Sequence, residues 1–458
     1  MAQPLSAFQW IRNAYFRAAL IPLLLAEVFL LAAFIVTNHN TFQENSNAIN
    51  ALAETELVRR AERESALINQ QLITVKANTL LLQQKALRAH NTPFFSEAEA
   101  NNNQFDPSGT ALYSQHNISD TALYYTGQVT VGKKEQAKAN QLSQLDAFMV
   151  DLNRYNELVL QVYYCTFDSM VRITPFLDVL NTFPLKMNLP EFKFYFEADA
   201  KNNPERKSVW TRVYKDMAGL GWMVSNLAPV YRNNFLEGVV AQDVTVDALI
   251  LKTQSIELPW NGYLLLLDDM GRIMAIPEAH KAQWQLESLV NVNSAQQGDA
   301  LSQESFNIHR RQDTQLLSEK MQALYSGVAH VDLKGTYLMA WSTIPETDWK
   351  LIIVADKASI LAPAKALSER SYTTFYIMLG VLFIFYFAFF DFLYIQAKTM
   401  SNKLSKALLG IRKMTKAILT NTEITDPEAS SIIEVDDALK DLESLGQYLK
   451  YQHDQSEK

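Results

Sequence analysis

AALIPLLLAEVFLLAAFIV, residues 18–36, is an apolar run interrupted by a single charge, Glu27. A second run, TTFYIMLGVLFIFYFAFFDFLYI at residues 373–395, is interrupted only by Asp391. Each has about the 20 residues that a helix needs to cross the hydrocarbon core of a bilayer. The residues between them have ordinary mixed composition. This spacing predicts one large domain on the far side of a membrane and two short ends on the near side. The sequence places Asp391 near one end of its span and Glu27 against a partner helix.

The flanks set the orientation. Arg12 and Arg17 precede the first run, and Lys398, Lys403, Lys406, Arg412, Lys413 and Lys416 follow the second. Lys365 and Arg370 stand before the second run, but the opposite flanks are poorer in cations. Cationic flanks stay on the cytoplasmic side. Both termini are therefore expected in the cytoplasm. The first run is longer than the apolar part of a signal peptide, and no clear small-x-small cleavage site follows Val36. It reads as an uncleaved signal anchor. The predicted parts are a cytoplasmic N-terminus (1–14), a span (15–37), an outer domain (38–371), a second span (372–396) and a cytoplasmic segment (397–458).

A net charge of −8 argues against nucleic-acid binding. The single cysteine, Cys165, allows no internal disulfide and reads as a buried strand residue. The seven histidines are scattered, with no metal-ligand spacing and no HExxH. No metal or cofactor is expected.

The outer domain reads as α+β. Residues 45–90 lack Pro and Gly, are rich in helix formers, and repeat Leu57, Ala61, Ala66, Ile68, Leu72 and Val75 at helical steps. They predict a long helix emerging from the membrane. Residues 91–120, polar and rich in Asn and Ser, read as loop and short helix. Strand signals follow at 158–167, 171–173, 220–231 and 236–246, the last two joined at Arg232-Asn233-Asn234. A second set covers 262–267, 272–276, 327–332, 335–344 and 349–355, with a loop over 293–316. The sets are weak internal repeats: 160–176 parallels 263–277, and 238–250 parallels 351–364. In the second pair each strand ends in an aspartate, Asp243 or Asp356, placed to cap a following helix. Two similar antiparallel-sheet modules are predicted, a membrane-distal one (91–255) and a membrane-proximal one (256–371).

Particular stretches carry a resemblance. They are Trp210-x-x-x-Tyr214-x-Asp216 with Gly219, Pro229-Val230-Tyr231, Gly238-Val239-Val240-x-x-Asp243, Pro345-x-x-x-Trp349 and the strand closing at Asp356. In this order, between two spans, the chain resembles the double Cache sensor receptors over roughly residues 15–450. The resemblance implies two tandem PAS-like modules along the long helix and a Gram-negative inner-membrane location. It also implies a small-molecule ligand in the distal module. In the family's amino-acid-binding members, aromatic rings and an arginine hold the carboxylate and two aspartates hold the ammonium. Asp216 and Asp243 match the aspartates, and Tyr195 matches a ring. The family's arginine and tryptophan positions align here with Phe192 and Phe194, and the adjacent cation, Lys193, is out of register. An amine, or an amino-acid-like ligand whose positive end meets Asp216 and Asp243 and whose body stacks on aromatics, fits best. An organic anion on Lys193 or Arg212 is the weaker fit.

The candidate ligand-binding residues are thus Tyr195, Trp210, Tyr214, Asp216 and Asp243. Each also has a purely structural reading. Trp210, Tyr214 and Tyr195 serve equally well as sheet core, Asp216 as a turn residue and Asp243 as a cap. Tyr263, Asp268 and Asp269 read as hairpin residues.

In the cytoplasmic segment Leu404, Leu408, Ile411, Thr415 and Ile418 form one heptad stripe. Val435, Ala438, Leu442, Leu445 and Leu449 form another, after a break at 421–430 that contains Pro427. The pair resembles a HAMP relay, with Glu434-Val435 matching the start of its second helix, although the family's proline and glycine are missing. That resemblance implies a homodimer. An amphipathic helix on the inner leaflet is the other reading, poorly suited to acidic 434–443. No output enzyme is expected within these residues. The reading is the sensory part of a histidine kinase, diguanylate cyclase, phosphatase or chemoreceptor system, signalling through a longer form or a separate cytoplasmic protein. The rival readings are a tethered scaffold whose outer domain binds a protein and a tethered enzyme, for which no GxSxG, SxxK or histidine cluster is found.

Overall fold

The computed structural model describes residues 6–216, 220, 222–246, 248–249, 258–286, 307–420 and 432–456. Gly219 of the motif above, the segment 293–306, the distal module's end at 250–255 and the helix break at 421–430 lie outside the described residues.

One helix, α1 (Ala7–Asn91), carries both the first apolar run and the Ala- and Leu-rich stretch after it. Ala53, Leu57, Ala61, Ile68, Leu72, Val75, Leu82 and Ala86 are buried, at steps of three, four and seven residues. They form the single apolar stripe of a helix lying on other elements. By contacts the chain forms two units, Ala48–Ala362 and a second made of Met1–Asn47 with Pro363–Lys458.

In the first unit, nine strands build an antiparallel sheet among the described residues. They are β1 (Asn103–Phe105), β2 (Leu112–Ser114), β3 (Ala122–Tyr125), β4 (Val159–Thr166), β5 (Met170–Thr174), β6 (Val209–Trp210), β7 (Tyr214–Lys215), β8 (Trp222–Arg232) and β9 (Phe235–Thr245). Their order is β1-β2-β3-β5-β4-β9-β8-β6, with β7 also on β8. The β8–β9 hairpin turns at Asn233 and Asn234, both at positive φ (50° and 63°), the conformation for which two-residue hairpins select Asn. Helices α2 (Glu97–Asn102), α3 (Lys133–Leu142), α4 (Asp146–Arg154), α5 (Val179–Thr182) and α6 (Lys193–Phe196) surround the sheet. Side chains alternate across it. Tyr125, Tyr164, Val224, Val240 and Val244 share one core with the α1 stripe, and Tyr163, Cys165, Tyr195, Leu227, Val239 and Ala241 form another on the opposite face.

The second sheet has the order β11-β10-β14-β13-β12. Its strands are β10 (Tyr263–Leu267), β11 (Ile273–Ala275), β12 (Ser326–Leu333), β13 (Gly335–Ile344) and β14 (Trp349–Asp356). One face adds Leu264, Leu266, Ala340 and Ile353 to the α1 core. The other packs Tyr263, Trp284, Trp341 and Met339 with Leu317 and Met321 of α7 (Gln315–Ala323).

Three local expectations change. Residues 103–105 and 112–114 are strands of the first sheet, not loop. They have three residues each, β1 at the sheet's edge and β2 between β1 and β3, too short to show an alternation in their own sequence. Asp243 caps nothing: it is an internal residue of β9, and the N–H of Ala248 meets Thr245 Oγ1 instead, at 3.1 Å. Asp356 does cap, taking N–H groups from Ala358 and Ser359 at 3.2 and 3.1 Å as α8 (Lys357–Leu419) begins. The parallel between 238–250 and 351–364 therefore ends at the strand.

In the other unit, α1 and α8 are both long and apolar enough to cross a membrane. Phe34 stacks on Phe375 at 3.9 Å, Phe16 meets Phe390 at 5.3 Å, and Asn38 Nδ2 donates to Ser368 Oγ at 3.2 Å. The last helix, α9 (Ile433–Ser456), packs Val435, Leu439 and Leu442 with Ala407, Ile411, Met414 and Ile418 of α8. The seam keeps Ile411, Ile418, Val435 and Leu442 of the expected stripes and departs between them: Leu408 is exposed while Ala407 is buried, and Leu439 is buried where Ala438 was expected.

Candidate functional site

Asp243 is the polar centre of the face that points away from α1. It sits on β9 directly opposite Ser225 of β8 and Gln161 of β4. Cross-strand partners share a face, so Ser225 and Asp243 point the same way. Tyr163, two residues along β4 from Gln161, joins them. The Tyr163 hydroxyl donates to Asp243 Oδ1 at 2.9 Å, Ser225 Oγ at 2.6 Å and the Tyr214 hydroxyl at 3.4 Å. The Tyr214 and Ser225 hydroxyls also lie 2.6 Å apart; with Ser225 donating to Asp243, the single Tyr214 proton is shared between Ser225 Oγ and Asp243 Oδ1. Every one of these contacts falls on Oδ1. Among the described residues nothing donates to Oδ2, and no cation pairs with the carboxylate.

That is an unusual position for an acid only 2% exposed. Burying a carboxylate without a counter-charge is costly. Burial accordingly pushes the Asp243 carboxyl up to about 7; the hydroxyl donors pull against this, and the nearby charge of Asp216 adds to it. Burial, then the charge of Asp243, pushes the Tyr163 and Tyr214 hydroxyls well above their ordinary range. They remain neutral donors.

Aromatic rings wall the same face. Phe194 meets Tyr163 edge-on at 5.8 Å and stacks with Phe192 at 5.4 Å. These two rings occupy the positions where the resemblance called for an arginine and a tryptophan. Tyr195, in the same short helix, is buried in the core on this face, and burial raises its hydroxyl too.

The five residues singled out from the sequence therefore do not all meet. Asp243 and Tyr214 are in contact, and Tyr195 lies on the same face. Asp216 is close enough to act on Asp243 electrostatically, but its Oδ2 accepts the Leu220 N–H at 3.1 Å, as in the turn reading. Trp210 goes elsewhere. Its indole Nε1 donates to Glu346 Oε1 at 3.3 Å and its ring meets Trp349 edge-on at 6.1 Å, both beside the second sheet. The reason is local. Between β6 and β7 the strand is interrupted, Thr211 turns to bond Ser225 through backbone and side chain, and Val213 enters the α1 core. The chain thereby changes the side its residues face between 210 and 214.

Tyr163 and Ser225 were not singled out. Their signal was a polar group inside an apolar strand run (LVLQVYYCTF and LGWMVSNLAPVY), legible only once cross-strand register is known. Arg172, the nearest fully buried cation by sequence position, belongs to the other face of the sheet. It binds Asp146 and Glu99, the latter at 2.9 Å, and the Ala139 carbonyl at 3.2 Å. Asp268 is a hairpin residue: it accepts the N–H groups of Met270 and Arg272 and the Arg272 guanidinium, at 3.0, 2.8 and 2.6 Å. Cys165 is buried. No cluster of metal-ligating side chains occurs among the described residues.

The chain matches no family model and no curated protein. Among solved structures it is similar to ligand-binding domains of chemoreceptors and to an extracellular domain of a protein described as a histidine kinase. One is the ligand-binding domain of the Pseudomonas aeruginosa PAO1 amino-acid chemoreceptor PctB in complex with L-Arg (15% identity, 67% of this chain and 95% of that chain, TM-score 0.39). Another is that of the Pseudomonas fluorescens chemoreceptor CtaA in complex with L-isoleucine (14% identity, 69% and 98%, TM-score 0.40). The histidine kinase is soHK1S-Z6, through its extracellular domain (13% identity, 70% and 99%, TM-score 0.44).

Proposed function

We propose that this chain is a membrane-spanning signal receptor whose first sheet holds a small cationic ligand, an amine or the ammonium end of an amino acid, at Asp243. One observation carries the reading: a buried carboxylate whose Oδ1 is met by the hydroxyls of Tyr163, Ser225 and Tyr214 and whose Oδ2 is met by no donor among the described residues. An ammonium at Oδ2 supplies both the donor and the missing positive charge, and the rings of Phe194 and Tyr163 suit an apolar body or a cation.

In this reading residues 38–371 face outward, 15–37 and 372–396 cross the inner membrane, and both termini are cytoplasmic. The outer region comprises two tandem modules, 91–255 and 256–371. Gln242 supports a relay. Next to Asp243 on β9, it points to the opposite face, where its Nε2 donates to the Val75 carbonyl at 2.9 Å and to Thr79 Oγ1 at 2.8 Å on α1. A shift of β9 on ligand binding thus pulls on the membrane-entering helix. The helices α8 and α9 then act as a HAMP-like pair in a homodimer, biased between two packings by the ligand's differential affinity. The chain is proposed to be no enzyme and to signal through an output module or partner.

The test is calorimetric titration of the purified full chain in lipid nanodiscs with amines, amino acids and organic acids, beside Asp243→Asn. A saturable amine or amino-acid hit that Asp243→Asn abolishes supports the reading. A well-folded protein that binds none of them shifts the outer region to the protein-partner reading.

A further inference from the structure

Trp210, the candidate residue that lies away from Asp243, lines another cavity. It has a volume of about 450 Å³ and lies between the edge of the first sheet and the hairpin ends of the second. Small-molecule sites typically span roughly 300–1,000 Å³. Trp210, Arg212 and Val213 come from one side, and Met274, Trp349 and Asp269 from the other. We propose that this cleft is a second ligand site, separate from Asp243, for a small carboxylate with an apolar body.

The argument is one of elimination among the charges. Asp268, on the wall, is already satisfied by Arg272 and two backbone N–H groups. Glu346, just beyond Trp349, takes the Trp210 indole and Lys76 Nζ, the latter at 2.8 Å. Glu197 accepts the Arg212 backbone N–H at 3.3 Å. The guanidinium of Arg212, by contrast, has no hydrogen bond or ion pair among the described residues. A planar fork of donors beside two indoles and a methionine suits a carboxylate attached to a ring or aliphatic chain. Arg212 and Asp269 are both exposed, so water screens each alike; the planar fork of Arg212, which can grip a carboxylate with two parallel donors, is the better directed of the two for holding a ligand. An amino acid with an apolar side chain falls within the class, its ammonium toward Asp269.

The site has a consequence for the molecule. Its Trp210 is four residues from Tyr214, which touches Asp243, and the same indole is bonded to the hairpin end of the second sheet. A ligand in the cleft therefore acts on the stretch that joins the two sheets.

Tryptophan fluorescence tests this in the full chain in nanodiscs, because Trp210 and Trp349 report directly. Phenylacetate, phenethylamine and phenylalanine are the probes. Phenylacetate or phenylalanine is expected to give a saturable change that Arg212→Gln weakens at least about tenfold. Arg212→Lys should weaken it less, and Asp243→Asn should leave it within about twofold, since separate sites add independently. Arg212 is exposed, and a thermal transition matching that of the unaltered protein checks that its variants fold. Binding of phenethylamine in place of the acids, no binding of any probe, or loss of the signal in Asp243→Asn each overturns the second site. The last outcome would assign the response to the Asp243 site and leave that reading standing.

Discussion

Asp243 sits where a carboxylate is hardest to keep charged, and its protonation governs what it does. In the unfolded chain its carboxyl titrates near 3.8; in the fold burial moves it up to about 7. The folded state thus holds the proton over a window in which the unfolded state has released it. This contribution to stability is complete below pH 3.8 and is lost as pH rises to about 7, on the order of a few kcal/mol in all. Asp243→Asn should flatten the fall between those values, measured as the thermal midpoint against pH. A cation at Oδ2 must displace the same proton, so amine affinity should rise with pH toward about 7 and then level, with proton release seen as a buffer-dependent binding heat. Arg172 is the opposite case. It too is buried, and burial alone would lower it, but Asp146 and Glu99 more than compensate and raise it. Arg172→Met leaves two buried acids without their cation. Unfolding by urea should show a loss of about 3–5 kcal/mol, and a loss under 1 kcal/mol would show that the acids find other partners.

Among the elements, the β4–β9 pairing depends on one glycine. A Cβ on Gly238 would stand 2.2 Å from the Cys165 carbonyl oxygen and 2.7 Å from the Tyr164 ring. Backbone cannot move aside as a flexible side chain can. Gly238→Ala should cost at least about 2 kcal/mol and lower the thermal midpoint by several degrees; an unchanged midpoint would mean the two strands separate freely. The Gly238-Val239-Val240 stretch of the sequence motif thus has a packing reason, since Val239 and Val240 enter opposite cores. Most of the α1 stripe was legible from helical steps because it faces core from Ala53 to Ala86, although Ala66, expected on it, is exposed. β1, β2, β6 and β7 were not legible. Each has two or three residues and is held by pairing with distant segments, which leaves no period in its own sequence.

For the whole molecule, topology is the first quantity to establish. Cys165 is buried at 1% exposure, and burial raises its thiol well above the ordinary range, so it is a poor target for labelling reagents. In a Cys165→Ser background, Thr92→Cys should react with an impermeant maleimide in spheroplasts, and Lys450→Cys should react only after lysis. Labelling of Lys450→Cys in intact spheroplasts would reverse the orientation read from the flanking cations. The motif Trp210-x-x-x-Tyr214 looks like one wall of one pocket, yet Trp210 lines the cleft beside the second sheet while Tyr214 hydrogen-bonds Asp243.

The sequence by itself determined the class of this protein: two apolar runs of membrane-spanning length, a long amphipathic helix between them, and most of the long strands of two antiparallel sheets. These features are written in local periodicity and composition, which need no knowledge of distant residues. Only the tertiary structure decided which polar side chains converge. Asp243 meets Tyr163, Ser225 and Tyr214 because β4, β7, β8 and β9 pair in one register, and a shift of one residue in any long strand would send its partner to the opposite face. Register is a property of the assembled sheet, and so the three hydroxyls on the carboxylate, the departure of Trp210 and the cleft beside Arg212 appear only when the chain is folded.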